Sequence, residues 1–311
     1  MHTCRLINWV LTATVLCSAC ASGPPPQRVP TDIRLSIRYL NKGAAFYAMG
    51  CYTKALANLQ EAHERFAAAD HLVGIAESLN SIANVYYRLG DYSTALAIYD
   101  EAFPLFHQLK QTSGQIRTLA NKAAALIAGQ YFDAAAQILD QADKIADGQP
   151  ILLALRLKNR ALLHLSQNDA ASASPLLDQA LSAVPLSDQT LLADIHYTIG
   201  QMQLTFADSQ KALPHIEMAL EIDRKSGAYY AVAQDLAAMG LYFDKLARYE
   251  VAVNYYQRSL KIFALLDAFQ KVQSILPHLV DSAHKASLNI NASLKWAELW
   301  LSGQRESGIC R

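Results

Sequence analysis

The residues that could carry out a reaction are few, and their spacing argues against catalysis. Ser282 and Lys285 are three apart, the nucleophile–lysine spacing of some acyl-transfer enzymes, but the companion motifs of that chemistry are absent. His278 and His284 are six apart, so on a helix they do not share a face, and the other histidines are scattered singly. The sequence holds no glycine-rich phosphate loop, no GxSxG elbow and no HExxH helix. These patterns imply no catalytic residue, no metal site and no cofactor. A different chemistry is suggested at Cys20, which follows Ser18 and Ala19 in the stretch "LCSACAS".

That stretch ends an amino-terminal segment, "MHTCRLINWVLTATVLCSACASGPPPQ", with Arg5 at its start and an apolar run from Leu6 to Leu16. The run is too short to span a bilayer as a helix and fits a cleaved export signal. Its end resembles the lipobox of bacterial lipoproteins, with Cys17 where leucine is usual. The resemblance implies a signal peptide over 1–19, diacylglycerol on the Cys20 thiol, cleavage before it, and acylation such as palmitate on the new amine. A plain secretory signal cut near Ala19 or Ala21 is the alternative. Ala21, where an aspartate would retain the protein, implies an outer-membrane anchor facing the periplasm. Several acyl chains, at about 0.8 kcal/mol per buried methylene, make such an anchor firm. "GPPPQRVP" completes a semi-rigid tether over 20–31. Cys4 and Cys17 would leave with the signal, and Cys51 and Cys310 lie at opposite ends of what remains. No disulfide framework is expected from that spacing, so packing must hold the fold.

The totals bound the partners. Lys+Arg and Asp+Glu number 27 each, so net charge is zero, and no field exists to recruit nucleic acid. Hydrophobic residues make up 52% and charged residues 17%, a composition of helix formers that predicts an all-α chain.

The elements that position any site emerge from an internal repeat. Ala95, Tyr99 and Ala102 set a four-then-three spacing that recurs as Ala55, Leu59, Ala62 and as Ala135, Leu139, Ala142. It returns as Ala173, Leu177, Ala180, as Ala212, Ile216, Ala219, and as Ala252, Tyr256, Ser259, every 38 to 40 residues. Twelve residues before each first alanine stands a small residue: Gly43, Ala83, Ala123, Ala161, Gly200 or Gly240. Turn-like segments such as "LGDY" and "SQNDA" lie between the two columns. Each unit therefore reads as helix, turn, helix, with small residues allowing close approach and large ones filling the groove.

"SLNSIANVYYRLGDYSTALAIYDEA", from Ser78 to Ala102, resembles the tetratricopeptide repeat family. The resemblance implies a right-handed α-solenoid of six units over 32–267. A degenerate seventh unit with a capping helix is expected over 268–311. There Ala292, Trp296 and Leu299 take the column places, Val280 stands in the first column, and Pro277 should kink or restart the preceding helix.

In that family the first helix of each unit lines a concave face. The residues expected there are Asn80, Asn84, Asn121 and Asn159, with Asn41 earlier. Lys158, Tyr197 and Gln201 join them, and Tyr47, Tyr87 and Arg88 lie nearby. Amides can hydrogen-bond an extended peptide and tyrosines supply rigid contact area. Asn84 is expected to be solvated, so that its truncation stays within about 0.5 kcal/mol. Lys158 and Arg117 alone do not build the family's C-terminal-carboxylate clamp. The sequence thus reads as a non-catalytic, membrane-anchored scaffold that binds a protein or peptide partner in envelope assembly, such as pilus, secretion or cell-wall machinery. Apolar positions such as Leu40, Leu155, Leu162 and Leu241 keep open a solute-handling lipoprotein with a small or apolar ligand. Replacing Cys20 by alanine should move the protein from membranes to the soluble periplasmic fraction. A variant that stays with salt-washed membranes would contradict the lipid reading.

Overall fold

In the computed structural model, residues 31–145, 148–206, 209–303 and Cys310 are described. The expected signal peptide, Cys20 and most of the tether lie outside these residues. Fourteen α-helices follow one another among the described residues, in seven pairs. The first four pairs are α1 Thr31–Met49 with α2 Tyr52–Ala68, α3 Leu72–Leu89 with α4 Tyr92–Gln108, α5 Thr112–Ala128 with α6 Phe132–Asp143, and α7 Pro150–Ser166 with α8 Ala170–Ala183. Then come α9 Gln189–Phe206 with α10 Ala212–Ser226, α11 Tyr229–Lys245 with α12 Tyr249–Leu265, and α13 Phe269–Lys285 with α14 Asn291–Leu301. No helix among the described residues is long and apolar enough to cross a membrane.

Every small residue of the six-fold template is fully buried, from Ala55 and Ala62 to Ala252 and Ser259. Their large partners Leu59, Tyr99, Leu139, Leu177, Ile216 and Tyr256 are buried with them. The first-helix column explains why. A Cβ on Gly240 would lie 2.6 Å from the Tyr256 ring, so only a small residue lets α11 close on α12. A further small column, at Gly74 and Gly114, joins one pair to the next, for a Cβ on Gly74 would lie 2.3 Å from Phe66. Sequence spacing had not revealed that second contact.

The turns repeat as faithfully as the columns. Gly50 and Gly90 end their helices with positive φ, and Gln130, Asn168, Ala247 and Ser287 adopt the same conformation at the equivalent turn of later pairs. Caps sharpen the restarts, since the carboxylates of Asp91 and Asp169 accept from the backbone amides of Thr94 and Ser172 at 3.1 and 3.0 Å. The last pair departs from expectation. Helix α13 runs unbroken through Pro277. Ala292 and Leu299 are exposed, whereas Ala297 and Trp300 are buried, so α14 sits one residue later in register than the template places it. Val280, expected in the small first column, is exposed.

First helices of successive pairs touch one another and form the inner wall, and α1 also reaches α11. The array therefore curves until its beginning meets its end. The Tyr52 and Tyr230 rings pack edge to face with centroids 5.3 Å apart, and Tyr230 packs in the same way on Phe263. Gly50 fits this seam closely, because a Cβ there would lie 2.7 Å from Tyr230 Cβ. Cys51 and Cys310 form a disulfide across a sequence separation of 259 residues. This corrects the expectation of a fold held by packing alone: the two cysteines are remote along the chain, but the curvature brings them together. Because Ala95 is fully buried beneath neighbouring helices, Ala95→Leu should destabilise the protein by about 1–3 kcal/mol. The exposed Ala67→Leu should change stability by less than about 0.5 kcal/mol. Equal shifts in denaturant midpoints would contradict the packing.

Candidate ligand-binding lumen

The inner wall encloses a cavity of about 550 Å³, lined by residues of α1, α3, α5, α7, α9 and α11. Of the eleven residues expected at or near the concave face, eight line it: Asn84, Asn121, Lys158, Asn159 and Tyr197, with Tyr47, Tyr87 and Arg88. Gln201 instead lines an adjoining cavity of about 170 Å³ with Tyr197, Lys271 and His278. Asn80 is half-buried outside the lumen lining, with its side-chain oxygen buried and unpartnered.

The asparagines divide by what they touch. Asn84 Oδ1 accepts a 2.6 Å hydrogen bond from the hydroxyl of buried Tyr99. It is therefore not the free, solvated amide that the sequence suggested, and its truncation would leave that hydroxyl unpaired at a cost of about 1–3 kcal/mol. Asn159 is buried, and its Nδ2 donates to the Ala120 carbonyl at 2.7 Å, tying α7 to α5. Asn121 keeps accessible surface in the lumen. Among these amides, Asn121 best suits an incoming peptide.

The charges follow the repeat. Lys158 on α7 pairs with Asp194 on α9, one unit further along. Burial would raise the Asp194 carboxyl, but Lys158 and then Arg88 outweigh it and hold it below the usual carboxylate range. Sequence reasoning missed Asp194, although a cation and an acid about one period apart on successive first helices were a readable signal. Arg88 lines the lumen and donates through Nε to the Tyr47 hydroxyl at 3.2 Å. Behind Tyr197, buried Asp223 and Asp235 face each other from α10 and α11. Burial first, and then the neighbouring carboxyl, push Asp235 up to about 9. Burial also raises Asp223, to about 6.

The residues that might have done chemistry are occupied. The buried Ser282 hydroxyl donates to Asp244 at 2.8 Å, while Lys285 pairs with Asp281 at 2.6 Å. His278 stacks on Tyr256. No group of three or more metal-ligating side chains suited to an ion occurs among the described residues.

Comparison with known proteins agrees with this architecture. A tetratricopeptide repeat model matches residues 35–108. No curated protein sequence matches the chain. Among solved structures, the chain is similar to the Rap conjugation gene regulator of plasmid pLS20 in complex with the Phr* peptide. That likeness has a TM-score of 0.69 and 15% identity, covering 93% of this chain and 80% of the other. It is also similar to a Rap protein complexed with competence and sporulation factor, with TM-score 0.60 and 13% identity over 83% and 78% of the two chains. Aspartyl phosphate phosphatase F from Bacillus subtilis aligns with TM-score 0.53 and 14% identity over 84% and 73%. At these identities the likeness establishes the fold, a tetratricopeptide-type α-solenoid.

The buried acids predict a pH dependence. A folded-state pKa raised to about 9, above the ordinary aspartate value near 3.9, means that the folded protein prefers protonated Asp235. The stability it contributes is full below pH ~4 and is lost as pH rises towards 9. Asp235→Asn, an uncharged substitute, should therefore gain melting temperature relative to wild type as pH rises from 5 to 8.5. A difference that is constant over that range would contradict the assignment.

Proposed function

We propose that this protein is a non-catalytic adaptor that takes an extended peptide segment of a partner protein into its lumen. The carrying observation is a cavity built from the inner helices of successive units. Asn121 offers an accessible amide there, Tyr87 and Tyr197 offer flat contact area, and the Lys158–Asp194 pair offers fixed polarity. Repeating units present such groups at regular intervals, which suits a backbone in extended conformation. Two of the similar folds carry a bound peptide or factor in their own structures, which supports the reading.

On this reading the adaptor is lipid-anchored through Cys20 at the outer membrane and works in periplasmic assembly. A disulfide between Cys51 and Cys310 suits an oxidising compartment. The second reading, a carrier of a small solute, is favoured by the cavity volume, which lies in the range of small-molecule sites, and by Leu155 and Leu162 in its lining. Native mass spectrometry of protein purified without denaturation separates the two, since a co-purifying small molecule supports the carrier.

A photo-crosslinking residue placed at Asn121 in cells should trap a protein partner. The same residue at Glu61, on α2, should not. Trapping from Glu61 with none from Asn121 would put the interface on the second-helix face and overturn the proposal.

A further inference from the structure

Arg88 differs from Lys158, the buried cation of the same lining. Lys158 has Asp194, whereas no carboxylate among the described residues lies within ion-pair distance of Arg88. Asp194 acts on it only from further away. One of its five N–H donors is used, on the Tyr47 hydroxyl, and the guanidinium lies over the Tyr87 ring, 5.7 Å from its centroid. Arg88 also belongs to two spaces at once. It lines the lumen and a neighbouring cavity of about 390 Å³ at the seam, where Tyr52 and Gly90 meet Tyr230 and Lys271.

A cation held among aromatic rings without a counter-charge is a costly arrangement in an unliganded protein. The same cation becomes a strong binding group when a carboxylate arrives, because the planar fork matches two oxygens and the surroundings screen little. The nearby hydroxyls reinforce this. Burial raises Tyr52 and Tyr87 above their ordinary range, so both remain neutral donors and not competing anions.

We propose that Arg88 is the anion anchor of the lumen and seats a carboxylate of the bound peptide beside Tyr47 and Tyr87. The inference rests on the peptide reading above and narrows it to segments that bear an acidic side chain or a free C-terminus. It differs from the two-cation clamp excluded from the sequence, because Lys158 is already neutralised and Arg117, the other arginine of the lining, is exposed, so that Arg88 carries the half-buried unpaired charge.

The test uses three amino-acetylated, tyrosine-containing alanine hexapeptides. One has a free C-terminal carboxylate, one is amidated and carries a single aspartate, and one is amidated with asparagine in that place. Binding by fluorescence anisotropy is measured for wild type, Arg88→Gln and Arg88→Lys, with free succinate as a separate probe in thermal-shift assays. At least one carboxylate peptide should bind wild type tenfold or more tighter than the neutral one, and which one it is identifies the source. Arg88→Gln should abolish that preference, and Arg88→Lys should keep part of it. Arg88→Gln without ligand should melt no lower than wild type, since it removes an unpaired charge. Equal binding of charged and neutral peptides, a preference that survives in Arg88→Gln, or a melting temperature that collapses in that variant would overturn the proposal. If no peptide binds but succinate stabilises wild type and not Arg88→Gln, the anchor stands and the peptide reading falls. If neither probe acts, the anchor falls.

Discussion

The contact between a small residue on one helix and a large one on its partner governs everything else in this molecule. Gly240 under Tyr256 and Ala83 with Tyr99 are instances of it. Close packing at these points sets the distance between paired helices, and the Gly74–Phe66 contact sets the distance between pairs. A fixed geometry repeated six times becomes a fixed curvature. That curvature brings Tyr52 against Tyr230 and Cys51 against Cys310, and it creates an inside. The lumen is thus a consequence of helix packing before it is a property of the residues that line it.

Inside that space, polar groups fall into two kinds. Asn84 is committed to Tyr99 within its own unit, while Asn159 and Lys158 are committed to the Ala120 carbonyl and Asp194 and hold neighbouring units in register. Asn121, Tyr87 and Arg88 keep surface in the cavity. The first kind favours the folded array. The second gives stability up, as an unpaired Arg88 and the buried acids Asp223 and Asp235 do. The cost at Arg88 falls on the wall where a ligand would sit, and that of the two acids falls behind it.

Much of the architecture was legible in the sequence because it depends on local, periodic chemistry. The alanine columns announced the helix pairs, and buried residues from Ala55 to Ser259 occupy those positions. Features that depend on three-dimensional closure were not legible. Nothing in the types of Cys51 and Cys310 reports that the chain curves back on itself. Gln130, Asn168 and Ala247 take the conformation that Gly50 and Gly90 advertise, because the flanking helices impose the turn whatever residue occupies it. Asn84 looked like a surface amide because its partner, Tyr99, lies on the other helix of the unit. In the last pair a one-residue slip moved the buried face of α14 to Ala297 and Trp300, where the weakened template gave no register.

The central claim is that the first unit of the solenoid meets its last units and closes a lumen. Disulfide mapping tests it most directly: protein folded under oxidising conditions is alkylated, digested without reduction and examined by mass spectrometry. Closure predicts a single crosslinked species joining the Cys51 peptide to the Cys310 peptide, lost on reduction. Both cysteines recovered as alkylated free thiols from oxidised, fully folded protein would contradict it.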